Sequence, residues 1–316
     1  MGKTPNLTEL QKEKLRRLEP ALRHAAKIGD YTKAKTITHD IQTILRKTGH
    51  ETRLMQAKNW LFESALESGE VEIAKTGFIG VRKLTSKYTR VHLEATALLA
   101  ICYLRKNEIE KAEPLMAEVL KNESYIKSER RRRQFRLNVI KRFEEEGALA
   151  SFRDKFHERF NAEELQNDAG RLISNENEDQ LFTILGKHAP PETKAIILRI
   201  EQYARKQLPA ADVKLLADPR DRVKDEEVGR TIFSSVKRVL WRSLCDPSSE
   251  IYQTWFHKGM GVVLNKLYIG TAVTSALADI GIGIKAIAVP IVALIIKFGI
   301  EVYCTKYQPT GIMIER

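Results

Sequence analysis

The chain has 316 residues, a formal net charge of +12 and 30% charged side chains. This length can bury large hydrophobic cores and hold two domains. Three cysteines are too few for a small disulfide-stapled fold, and the low glycine and proline contents exclude a fibrous or low-complexity chain. Strand signals are scarce, so we expect an all-α protein.

Five turn signals recur along the first two thirds of the chain. They lie 40, 38, 40 and 39 residues apart, at Gly29, Gly69, Asn107, Gly147 and Gly186. Glycine and asparagine tolerate the left-handed backbone that ends one helix and reverses the chain. A constant period of this length is typical of stacked helical hairpins. The alternative is a non-repeating helical bundle with accidental spacing.

The residues around the first three turns follow one order. Apolar side chains at helical spacing flank each turn, a small residue lies five positions after it, and a large apolar residue follows in two of the three repeats: Ala34, Ala74, Ala112, Phe78 and Met116. Over residues 15–122 this order resembles the tetratricopeptide repeat, although the helix-ending proline of that family is absent. The resemblance implies a superhelix of antiparallel hairpins with a concave groove for a protein partner.

A strongly basic helix is predicted next, at residues 127–142, which contain eight basic residues and one acidic residue. Helical spacing places five of the cations on one arc: Lys127, Arg130, Arg131, Lys141 and Arg142. Such a stripe could attract nucleic acid or anionic lipid. The alternative is a solvated or partner-facing surface, because no base-reading motif accompanies the stripe.

The composition changes near the C-terminus. Residues 201–250 contain 19 charged side chains, whereas residues 251–316 contain 9. We therefore expect a repeat domain at 1–206, a connector at 207–225 and a smaller, hydrophobic helical module at 226–316.

The most apolar part of this module is residues 259–304. Its uncharged runs are shorter than the roughly 18 residues of a clean membrane span, and its charges gather on one side of a helical wheel. This pattern favours a buried hairpin or an oligomerisation surface, with a membrane-inserted or membrane-lying hairpin as the alternative. The candidate residues for such a surface are Leu267, Ile284, Ile291, Leu294 and Ile295.

No catalytic, cofactor-binding or metal-binding motif is present, so we expect neither an enzyme nor a small-molecule substrate. The cysteines, Cys102, Cys245 and Cys304, are odd in number and show no disulfide framework. This usage favours reduced thiols and a cytoplasmic protein, either free or at the inner face of a membrane.

The sequence thus favours a helical-repeat adaptor or sensor that binds a protein partner and forms homo-oligomers or delivers an output through its C-terminal module. One alternative is a two-part effector whose hairpin at 259–304 enters or lies on a membrane. Another is an RNA- or DNA-binding repeat protein that uses the basic stripe.

Overall fold

We describe a computed structural model of the chain for residues 5–152, 161–214, 216, 218–247, 249–250, 252–253, 268–279, 283–309 and 311–313. The fold is all-α, as the sequence predicts. The chain divides into two compact units. Unit 1 is residues 1–142 with 310–316, and unit 2 is residues 143–309.

Unit 1 is built from consecutive helices that pack against each other as antiparallel hairpins. The helices are α1 (Glu9–Ile28), α2 (Tyr31–Lys47), α3 (Glu51–Glu67), α4 (Val71–Leu84), α5 (Arg90–Arg105), α6 (Ile109–Lys121) and the first half of α7 (Glu129–Phe152). Each helix from α1 to α6 packs on its neighbours in sequence, and the odd-numbered helices α1, α3 and α5 also pack side by side. This arrangement leaves one face of α1 and α3 available to form a site.

The first three predicted turns are confirmed. Gly29, Gly69 and Asn107 have φ angles of 75°, 94° and 60° and lie directly between paired helices. The alanines expected to pack between helices, at 34, 74 and 112, are fully buried. Local turn chemistry and helical periodicity therefore determine the hairpins of unit 1.

The last two predicted turns are wrong. Gly147 lies inside α7, and Gly186 lies inside α9 (Glu178–Lys187). A Cβ at position 147 would lie 2.4 Å from Ile200 Cδ1, and a Cβ at position 186 would lie 1.8 Å from the carbonyl oxygen of Asp225. These glycines allow close packing between helices, so the period of turns ends after Asn107.

Unit 2 contains the second half of α7, and α9 also belongs to it. Its other helices are α8 (Ala162–Asn175), α10 (Pro191–Gln207), α11 (Ala210–Val213), α12 (Pro219–Arg222), α13 (Asp225–Cys245), α14 (Tyr268–Asp279), α15 (Lys285–Phe298) and α16 (Ile300–Lys306). The apolar α15 packs against α8, α9 and α14, while α9 packs along α13. Residues 291–295 of α15 are all fully buried, so this helix forms the core of the unit.

The division into units differs from the boundary drawn from composition. Helices α8 and α9 lie before the expected connector at 207–225, and α13 and α15 lie after it, yet all four belong to unit 2. The apolar α15, which follows the drop in charge after residue 250, lies in the core of unit 2.

The expectation of three reduced thiols is wrong for two of them. Cys245, at the end of α13, forms a disulfide with Cys304 of α16, and their Cα atoms are 5.3 Å apart. Cys102 is buried and lies outside this disulfide. The indole of Trp241 donates a hydrogen bond of 2.8 Å to the carbonyl oxygen of Cys304, so α13 and α16 are joined by covalent and polar contacts.

Candidate functional site

Unit 1 contains a groove between α1, α3 and α7 in which a short non-helical segment of the chain lies. Spacings of three and four residues place the lining side chains of each helix on one face. The lining consists of two residues of α1, two of α3, four of α7 and the segment itself: Arg23, Lys27, Trp60, Glu63, Arg131, Gln134, Phe135, Asn138, Gly311, Ile312 and Met313.

The segment 311–313 binds α3 through main-chain and side-chain contacts. The amide of Ile312 donates a hydrogen bond to the carboxyl group of Glu63. The carboxamide of Gln56 donates to Met313 Sδ at 3.4 Å. The side chains of Ile312 and Met313 are buried. The groove thus holds this segment by one backbone amide and two apolar side chains.

Gly311 allows the segment to approach Glu63 closely. A Cβ at position 311 would lie 3.0 Å from Glu63 Oε1, a distance that side-chain carbon atoms seldom reach. A larger residue would require the Glu63 carboxyl group to shift by a few tenths of an ångström. A small residue immediately before the two apolar side chains fits without this shift.

Burial determines the electrostatics of Glu63. Loss of solvation raises the pKa of this carboxyl group to about 8, and the nearby carboxyl group of Glu67 raises it further. The guanidinium of Arg142 and the amide of Ile312 act in the opposite direction. Glu63 is consequently mostly protonated at neutral pH.

Buried ion pairs lie next to Glu63. Glu67 pairs with Arg142 of α7, and its Oε1 atom also lies 3.6 Å from Arg105 Nη2. Arg105 donates a hydrogen bond to the carbonyl oxygen of Leu66. These contacts tie α3, α5 and α7 together behind Glu63, so the groove is held by side chains that come from distant parts of the sequence.

The basic stripe predicted from the sequence is only partly exposed. Lys127, Arg130, Arg131 and Lys141 are exposed, and Arg131 lines the groove. Arg142 is buried, with 5% of its surface accessible, and it pairs with Glu67. Its placement on an exposed stripe is therefore wrong, because a buried carboxylate 75 residues away satisfies its charge.

The candidate residues of the apolar C-terminal segment lie mostly in the core of unit 2. Ile291, Leu294 and Ile295 are fully buried, Ile284 is half-buried just before α15, and Leu267 lies outside the described residues. Among the described helices, none is by itself long and apolar enough to cross a membrane, whereas α15 and α16 reach that length and composition only as a pair bent by 94°.

A histidine-centred chain of hydrogen bonds lies elsewhere in unit 1. His92 Nδ1 is 3.2 Å from Thr85 Oγ1, and His92 Nε2 is 3.2 Å from Glu118 Oε1. The order hydroxyl, imidazole and carboxylate is the one found in nucleophilic triads. Here the hydroxyl of Thr85 donates to the carbonyl oxygen of Val81 at 2.7 Å, so its proton points away from the imidazole. We therefore interpret these contacts as structural.

The sequence predicts a concave groove in the repeats, but of the residues that line this groove it singles out only Arg131. Helical periodicity predicts α1 and α3, to which four of the lining residues belong. Nothing in the sequence links these two helices to α7 or to residues 311–313. The one available signal was Gly311 between polar and apolar residues near the C-terminus, and this pattern is too common to identify a bound segment.

Within the described ranges, no group of three or more His, Cys, Asp or Glu side chains is placed to hold a metal ion. Comparison with models of protein families, with curated proteins and with solved structures found no match. The contacts made in the groove are therefore the basis on which a function can be proposed.

Proposed function

We propose that the protein is a helical-repeat interaction module that binds a peptide segment of a protein partner in the groove of unit 1. The observation that carries this proposal is the segment 311–313 of the same chain, which lies in the groove as an intramolecular occupant. The resemblance of residues 15–122 to the tetratricopeptide repeat, whose members bind protein partners, agrees with this function.

The chemistry of the contacts suggests which peptides fit. A backbone amide binds Glu63, so any residue except proline can supply it. A small residue before that amide avoids a close contact with Glu63, and apolar side chains fit the positions of Ile312 and Met313, which are 5% and 8% exposed. The expected partner segment is therefore small–apolar–apolar, and it competes with the chain's own segment.

A peptide added in trans tests this proposal. We expect a fluorescein-labelled peptide with the sequence of residues 306–316 to bind the full-length Ile312→Asp variant more tightly than the wild-type chain. The buried aspartate weakens the intramolecular contact and vacates the groove. Fluorescence anisotropy measures both affinities, and a peptide with the same composition in scrambled order controls for sequence.

Val302→Asp is the matched control variant. Val302 is an exposed apolar residue of α16, so its replacement introduces the same charge without vacating the groove. Binding of the peptide to Val302→Asp should equal its binding to the wild-type chain. If the peptide fails to bind Ile312→Asp at millimolar concentration while that variant remains folded by circular dichroism, the groove is not a peptide-binding site.

A further inference from the structure

A cavity of about 390 Å³ remains in the groove beside the bound segment. This volume lies within the range of about 300–1,000 Å³ that is typical of small-molecule sites. One wall is the segment 311–313, and the others are faces of α1, α3 and α7. The cavity is therefore complete only while the segment is in place.

The charges that line the cavity are predominantly positive. Arg23 and Lys27 of α1 and Arg131 of α7 contribute three cationic groups, whereas Glu63 is the one acidic side chain in the lining. Because the pKa of Glu63 is raised to about 8, this carboxyl group is mostly uncharged at neutral pH and adds little negative charge to the lining. An anion would be attracted to this lining.

Polar and aromatic groups complete the lining. Gln134 donates a hydrogen bond of 2.8 Å to Asn138 Oδ1, which orients both carboxamides on the exposed face of α7. The guanidinium of Arg23 lies over the ring of Trp60, 5.6 Å from its centre. Phe135 is almost fully buried. A ligand that combines an anionic group with a flat or apolar body matches these surfaces.

We propose that this cavity binds a small organic anion, a carboxylate or phosphate ester with an aromatic or apolar body, and that residues 311–313 form one wall of its site. The anion and the segment then stabilise each other, because each is bound more tightly when the other is present. The anion site does not depend on the peptide-binding proposal. One consequence does rest on that proposal: an anion that holds the segment in the groove opposes the binding of a partner peptide.

Isothermal titration calorimetry on the full chain tests the site with three probes: AMP, phenylacetate and inorganic phosphate. AMP and phenylacetate distinguish a phosphate from a carboxylate source, and inorganic phosphate lacks the apolar body. We expect saturable binding of AMP or phenylacetate that is tighter than that of phosphate. Loss of a charge-assisted hydrogen bond in Arg131→Gln should weaken this binding by roughly 10-fold or more.

Arg130→Gln is the matched control. Arg130 is the preceding residue of α7 and is also exposed, but it does not line the cavity. Its replacement should change the affinity by less than about twofold, because exposed charges outside a site contribute little. Equal weakening by both substitutions, or no saturable binding of any probe at 10 mM, would overturn the proposal.

One further arm addresses nucleic acid as the source of the anion. If a single-stranded RNA oligonucleotide binds and both arginine variants weaken it equally, the surface is a nucleic-acid interface and the small-anion site is rejected. The effect of Arg131→Gln on anion binding can be measured even if the peptide assay fails. Each proposal can therefore be rejected without the other.

Discussion

At the scale of single residues, the protonation of Glu63 is coupled to the contact that its carboxyl group makes with the segment in the groove. Its carboxyl group is buried, accepts the amide of Ile312 and faces the charged side chains of Glu67, Glu94 and Arg142. Burial and the two carboxylates favour the protonated form, whereas the guanidinium and the amide favour the charged form. The net result is a pKa of about 8, compared with an ordinary value of 4.5.

This raised pKa predicts how stability depends on pH. The folded chain holds a proton on Glu63 that the unfolded chain releases near pH 4.5, so the stability due to this proton is complete below that pH. It is lost progressively as the pH rises towards 8. Glu63→Gln, which cannot ionise, should flatten the fall in the free energy of unfolding between about pH 5 and pH 8. Urea unfolding at several pH values measures this slope.

Glu144 provides the comparison, because burial raises the pKa of its carboxyl group in unit 2 to about 7. The slope of Glu63→Gln should therefore become shallower without reaching zero, since Glu144 still titrates. Identical slopes for Glu63→Gln and the wild-type chain would show that Glu63 ionises in the folded protein as it does in water.

At the scale of helices, the sequence predicted the parts of unit 1 that depend on neighbouring residues. The turns at Gly29, Gly69 and Asn107 and the burial of the alanines after them follow from backbone preference and helical periodicity. Positions 147 and 186 are also glycine, but for another reason: each lies against a helix that is distant in sequence. A single sequence does not distinguish these two uses of glycine.

The packing of α3 to α5 predicts a large effect of charge at a small buried position. Ala74 is fully buried in α4, so Ala74→Glu places an unpaired carboxylate in the core. We expect the free energy of unfolding to fall by several kcal/mol. Thermal melting followed by far-UV circular dichroism measures the change.

Thr76→Glu, an exposed position in the same helix, is the control and should alter stability by no more than about 0.5 kcal/mol. Equal melting temperatures for Ala74→Glu and Thr76→Glu would contradict the packing of α4 against α3 and α5.

At the scale of the whole chain, the features that the sequence missed all depend on partners far away in sequence. The burial of Arg142 depends on Glu67, and the segment 311–313 binds residues of α3 more than 240 positions earlier. Composition located the apolar α15 correctly as a buried element, but it could not show that helices from both sides of the expected connector surround it. Local patterns contain no information about such pairings.

The disulfide between Cys245 and Cys304 leads to the last prediction. It closes a loop with a sequence separation of 59 residues. In the chain-entropy model, a loop of about this length stabilises the folded state by roughly 4 kcal/mol. Reduction with dithiothreitol should therefore lower the urea midpoint of unit 2. Trp241, hydrogen-bonded to Cys304, should report the transition by fluorescence.

The double variant Cys245→Ala/Cys304→Ala separates loss of the crosslink from other effects of the reductant. It should unfold at nearly the midpoint of the reduced wild-type chain, and dithiothreitol should not shift it further, because the remaining cysteine, Cys102, is not part of a disulfide. Mass spectrometry after alkylation confirms the state of each cysteine before unfolding. A wild-type midpoint that dithiothreitol leaves unchanged, with both cysteines shown to be reduced, would mean that packing between α13 and α16 holds this end of unit 2 without the disulfide.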